Sequence, residues 1–193
     1  MSMELTEMRK KLKKALTKER YEHTKGVMYT AAALAMAYEY DIQKAMIAGL
    51  LHDCCKCMSP EENISICDEH HVLLTQVEYD NPALIHAKAG SVYAQTNYEI
   101  NDPEILHAIR VHTTGEPDMS LLDKILFVSD YIEPGRDKAA NLTEIRRLAF
   151  SDINQCVAKI LYDTLHFLNQ KKGVIDPQTS ITYEYYQQFM EVK

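Results

Sequence analysis

The sequence predicts an all-α fold. Three observations carry that expectation. Apolar residues recur at spacings of three and four along nearly every segment. Glycine and proline, six of each, fall between those periodic stretches. Strand-like stretches are absent. A chain of 193 residues suits one domain with a real core and is short for two. No internal repeat, low-complexity segment or long polar linker divides it. The expectation is a single helical bundle over residues 1–193.

The elements follow in order. Leu5, Met8, Leu12 and Leu16 mark a first helix over 3–17. Val27, Ala31, Leu34 and Ala35 mark a second over 19–39. The apolar run Ala45 to Leu51 marks a third over 41–52. Ser59-Pro60-Glu61-Glu62 combines an N-cap serine, a first-turn proline and a capping-box glutamate, and opens a helix over 59–69. A helix over 82–97 begins among the small residues around His86. Asn101-Asp102-Pro103-Glu104 starts one over 102–112. The next, 119–132, stops at Glu133-Pro134-Gly135. Helices over 139–148 and 150–171 follow. Asp176-Pro177 starts the last, 177–190, although Ile181 to Tyr186 is rich in β-formers.

Composition narrows the function. The hydrophobic content of 46% and charged content of 25% are those of a globular protein. A net charge of −7 gives no general attraction to nucleic acid or anionic membrane, so an anionic substrate needs a metal or a local basic cluster. No apolar run is long enough to span a bilayer, and the N-terminal stretch is charged and amphipathic, so the expected location is cytoplasmic. Five cysteines, three of them at Cys54, Cys55 and Cys57, do not suggest a secreted disulfide framework. Cys54 and Cys57 form a lone C-x-x-C; small packed side chains are the better reading.

His52 and Asp53 end the apolar third helix, placing two metal-capable side chains side by side. His23 precedes them, and His86, His107, His112 and Asp130 follow. The order His, His-Asp, His, Asp resembles that of metal-dependent phosphohydrolases built on helices. Successive helical residues diverge by about 100°, so His52 and Asp53 converge on one ion only at a helix end. Asp53, with two oxygens, could also bridge two ions. Asp130 sits late in an apolar helix, where an unpaired carboxylate is expensive. His107 lies five residues before His112, off its helix face. His112 opens the flexible Thr113-Thr114-Gly115, and His86 begins His86-Ala87-Lys88-Ala89. His70 and His71 fall in a polar connection, and His166 on an amphipathic face as a structural residue. Arg20, Lys56, Lys88 and Arg136 are basic residues near these motifs, and arginine is the better fork for phosphate.

Several stretches together resemble the YqeK family of the HD-domain superfamily of metal-dependent phosphohydrolases. They are Glu22-His23-Thr24, Gly49-Leu50-Leu51-His52-Asp53, Ile85-His86-Ala87-Lys88, Ala108 to Gly115, and Ser129-Asp130-Tyr131-Ile132-Glu133-Pro134-Gly135-Arg136. The resemblance implies an HD core over about 18–135 with C-terminal helices packed on it. It implies symmetrical hydrolysis of diadenosine tetraphosphate, or a related dinucleoside polyphosphate, to two ADP by a metal-activated water. His23, His52, Asp53 and Asp130 match the family's iron ligands, with manganese or zinc as substitutes. A second ion at His86 and His112 is an alternative to direct phosphate contact. Arg20, Asp53, His86, Ala87, Lys88, Ala89, His112, Asp130 and Arg136 are the implied substrate contacts, and Asp53, His112 and Lys56 the implied catalytic groups. Rival readings are another HD-type nucleotidase or deoxynucleoside triphosphate hydrolase, a purine-nucleotide sensor without turnover, and a structural helical protein. Tyr183, Tyr185, Tyr186 and Phe189 form an apolar group that either pairs two copies as a homodimer or covers its own core.

Overall fold

The computed structural model describes residues 3–139 and 141–190. Within them the chain forms α1 (Leu5–Ala15), α2 (Lys18–Ala37), α3 (Ile42–Leu51), α4 (Pro60–Glu69), α5 (Gln76–Asp80), α6 (Ile85–Tyr98), α7 (Pro103–Val111), α8 (Leu121–Ile132), α9 (Leu142–Ala149), α10 (Ile153–Lys171) and α11 (Pro177–Tyr186). Two 3-10 turns, Pro82–Leu84 and Gln187–Phe189, complete the set. Among the described residues there is no strand, and no helix is long and apolar enough to cross a membrane.

All ten expected helices are present, and side-chain caps start seven of them. The Ser59 capping box forms as expected. The expected 119–132 helix is α8, capped by Ser120, whose hydroxyl and Asp123 make a reciprocal box. The expected start at 150 moves to Ile153, because the Asp152 carboxylate accepts from Gln155 N. Residue 140 of the expected 139–148 helix lies outside the described residues, as do 1, 2 and 191–193. The expected 82–97 helix divides into the Pro82–Leu84 turn and α6. The short helix α5 was not among the expected elements; Thr75 and Glu78 close a capping box around it.

One buried cluster runs through the molecule. Its centre is where α2, α3, α7 and α8 pack on one another. Val27, Met28, Leu50, Leu51, Ile109, Ile125, Leu126 and Val128 are wholly buried there. The approach of α2 to α3 depends on Gly49. A Cβ at that position would stand 2.9 Å from Met28 Cα, a contact with backbone that no rotamer change relieves. Helix α10 packs on α8 and α9, and α11 packs on α10.

The aromatic residues near the C-terminus cover their own chain. Tyr186 is buried, and its hydroxyl accepts from Met119 N at 3.0 Å. Tyr185 donates to Asp118 Oδ1 at 3.0 Å, while Tyr183 and Phe189 pack against the core.

Candidate metal centre

The elements that meet at the core deliver their polar side chains to one point. Thr17 caps α2 by accepting from Arg20 N, which sets Arg20 and His23 in the first two turns. Helix α3 stops at Leu51. Cys54 N then bonds to Leu51 O and Lys56 N to Asp53 O, so the chain leaves α3 through tight three-residue turns. That change of winding lets His52 and Asp53 face the same point, which a continued helix would prevent. Helix α7 likewise ends immediately before His112. Asp130 comes from the last turns of α8.

Four imidazoles are fixed in the same way. His52 Nδ1 lies 2.7 Å from Gly49 O, and His112 Nδ1 2.7 Å from Ile109 O. His86 Nδ1 lies 2.6 Å from Ala83 O. His23 Nδ1 lies 3.1 Å from Glu133 Oε1. Carbonyl and carboxylate oxygens only accept, so each Nδ1 carries the proton and each Nε2 presents a lone pair. An oxygen acceptor behind the ring is the usual support of a metal-bound histidine.

Asp53 stands between the rings. Its Oδ2 lies 3.3 Å from His52 Nε2 and 3.7 Å from His23 Nε2. Its Oδ1 lies 3.2 Å from His86 Nε2 and 3.8 Å from His112 Nε2. Asp130 Oδ1 closes the first side, 3.0 Å from His23 Nε2 and 3.9 Å from His52 Nε2. Two overlapping donor sets result, His23 with His52 and Asp130, and His52 with Asp53 and His112. The buried Nε2 atoms of His23 and His52 have no aligned hydrogen-bond partner among the described residues. Unsatisfied imidazole nitrogens beside carboxylates are what a divalent cation requires, so the residues fit a metal. Nitrogen and oxygen donors alone do not select among iron, manganese and zinc.

The charges are poised. Burial alone would push the pKa of Asp53 up, but His52 and His86 outweigh it and hold the carboxyl well below its usual range. Burial likewise opposes ionisation of Asp130, and His23, His52 and Arg136 reverse the effect. For His52, burial is again the largest influence; Asp53 and Asp130 overcome it and raise the pKa. Burial, with His86 and His52 alongside, drives His112 down to about 3. His112 is therefore neutral at physiological pH.

The basic residues divide into two groups. Arg20 Nη1 donates to Asp53 Oδ2 at 2.6 Å, and Arg136 Nη2 to Asp130 Oδ1 at 2.6 Å. Both guanidiniums remain partly exposed on the wall of a cavity of about 1300 Å³. Lys56 lines the same cavity, its Nζ 3.3 and 3.4 Å from the two ring nitrogens of His86. Burial lowers its pKa, against the pull of Asp53. Lys88 does not join them. Its Nζ donates to Glu78 Oε2 at 2.7 Å and Leu73 O at 3.0 Å. Ala87 lines a second cavity, while Ala89 is completely buried and offers a nucleotide no surface in this conformation.

His107 stands apart from the cluster, between Asp123 and Glu116 at 3.1 Å each. His70 and His71 are exposed in their connection. His166 departs from its expected structural place: it is exposed on the wall of the large cavity, stacked against Tyr162. Glu133 is the supporting residue that sequence reasoning missed. Read only as part of a helix stop, it is buried and holds both His23 Nδ1 and Gly135 N. The signal was its place three residues after Asp130 in an apolar stretch.

Comparison with known proteins agrees with this geometry. The HD domain family model matches residues 20–135. A Bacillus subtilis protein named symmetrical bis(5'-nucleosyl)-tetraphosphatase is 39% identical over 174 residues, covering 90% of this chain and 92% of that protein. A protein of the same name from Staphylococcus aureus is 31% identical over 186 residues, 95% of each. The crystal structure of an HD superfamily hydrolase from Clostridium acetobutylicum, described as involved in NAD metabolism, superposes with a TM-score of 0.94. It is 36% identical, and the match covers 98% of this chain and 100% of that one. With His23, His52, Asp53, His86, His112 and Asp130 all inside the matched span, the chain belongs to the HD domain family.

Proposed function

We infer that the chain is a metal-dependent hydrolase that cleaves diadenosine tetraphosphate symmetrically into two ADP. The observation that carries the chemistry is Asp53, with one carboxylate oxygen facing His23 and His52 and the other facing His86 and His112. Its symmetrical character rests on the relatives named for that activity.

His23, His52, Asp53 and Asp130 would hold iron, with manganese or zinc as substitutes, and His86 with His112 would hold a second ion or touch phosphate. The metal would supply positive charge to the phosphate oxygens and lower the pKa of water. The protein's own groups do the rest. Neutral His112 keeps a lone pair at Nε2 across the working pH range. Arg20 and Arg136 place two permanent cations at the edge of the cluster, each with donors left over for phosphate oxygens. Lys56 adds an amine beside His86, a third donor for phosphate. The two cations neutralise the charge that develops on the leaving ADP. The reaction balances as water added across one anhydride. The water oxygen bonds to an inner phosphorus, the central P–O bridge breaks, and its oxygen leaves on the other ADP.

The test is a substrate panel for the metal-loaded protein: diadenosine tetraphosphate, ATP, deoxynucleoside triphosphates and nucleoside monophosphates. The tetraphosphate should show the highest kcat/KM, by at least tenfold. A mononucleotide turned over faster would replace this function with that of a nucleotidase. Metal content near zero in protein purified without chelators would contradict the metal site.

A further inference from the structure

Symmetrical cleavage puts the reacting phosphorus at the middle of the substrate. The two nucleosides must then leave the metal cluster in different directions, and each needs a surface. The large cavity on the Arg20 and Arg136 side offers one. A second cavity of about 370 Å³ shares Thr113 with it as a lining residue. That volume falls within the range of pockets that enclose small molecules, roughly 300–1,000 Å³.

We propose that this second cavity binds the other nucleoside half of the substrate, a proposal that rests on the hydrolase reading above. Ala87 and Thr113, which follow His86 and His112 directly in the chain, line it, so its inner wall stands one residue from two cluster histidines. Its apolar wall comes from Val77, Leu84 and Ile181, and Ile181 is 47% exposed. Exposed apolar side chains at a cleft suit the face of a purine ring. Its acidic residues are already engaged. Glu78 is paired with Lys88, Asp176 accepts from Gln178 N, and Glu116 is paired with His107. The exposed guanidinium of Arg110 at the same cavity is the group that meets a diphosphate. Gly115, in the same wall, packs closely on α11. It sits at φ +64°, and a Cβ there would stand 2.9 Å from Thr182 Cγ2.

The test uses ADP, the product, as probe. Equilibrium dialysis of the metal-loaded protein should show two ADP bound per chain. Ile181→Trp, which fills the cavity from an exposed position, should reduce this to one. The same variant, and Arg110→Glu as a second that changes no buried group, should lower the ratio of kcat/KM for diadenosine tetraphosphate to that for adenosine 5'-tetraphosphate at least tenfold. That comparison substrate carries a single nucleoside. Turnover of the dinucleotide with one ADP bound per chain overturns the second site and leaves the hydrolase reading standing. An unchanged ratio in both variants also overturns it. No turnover of the dinucleotide by the unmodified protein overturns both readings.

Discussion

At the scale of single residues, the account turns on which atoms are protonated. His112 is held near a pKa of 3, against an ordinary value of 6.5. The unfolded chain takes up a proton below about pH 6.5 that the folded chain refuses. This contribution to stability is complete above pH 6.5 and is lost as pH falls towards 3. His52, whose pKa is raised, acts in the opposite direction and only above its ordinary value. Chelator-treated protein should therefore lose on the order of 2 kcal/mol from this ring between pH 7 and pH 5. His112→Asn should flatten that loss in urea titrations at the two pH values; equal losses would contradict the assignment. Asp53→Ala removes the carboxylate between all four rings. Turnover should fall below detection and bound metal, measured by plasma emission spectrometry, should fall with it. Retained activity would refute the site. The sequence pointed to Asp53 through its pairing with His52 at a helix end. It showed Glu133 only as a carboxylate three residues after Asp130 in an apolar stretch; its contact with His23 joins residues 110 apart in sequence.

At the scale of elements, the site depends on helices that stop on time. Both α3 and α7 end one residue before a cluster histidine, and that histidine turns back to a carbonyl of the final turn. The periodic apolar faces and the proline and serine starts made ten helices legible, because they are local signals. Helix α5 escaped because a five-residue helix is too short to show a period. Its Thr75 to Glu78 capping box repeats the pattern seen at Ser59 and Glu62, and was the available clue. Sequence also could not show that Lys88 turns to Glu78 on α5 rather than to phosphate. The close crossing of α2 and α3 gives a direct test. Gly49→Ala forces a methyl against the backbone of Met28 and should cost about 1–3 kcal/mol by urea denaturation. It should also weaken metal binding, since α2 carries His23 and α3 leads into His52. Unchanged stability would mean that the helices separate without penalty.

At the scale of the whole molecule, a protein with a formal charge of −7 handles a polyanion by concentrating cations and a metal at one place. Arg20, Lys56 and Arg136 gather on the cavity that opens from the cluster, although they come from three different parts of the chain. Sequence gave their nearness to the motifs but not the shape of the cavity, which α10 completes from 30 residues or more beyond the last cluster ligand. The central claim is that this assembly breaks a tetraphosphate bridge at its midpoint and does so only with its metal. Product analysis tests it most directly. Iron-loaded protein is incubated with diadenosine tetraphosphate and the nucleotides are resolved by chromatography, beside a chelator-treated control. The account predicts ADP as the sole product and its loss on chelation. AMP together with ATP, or ADP formation that survives chelation, would contradict it.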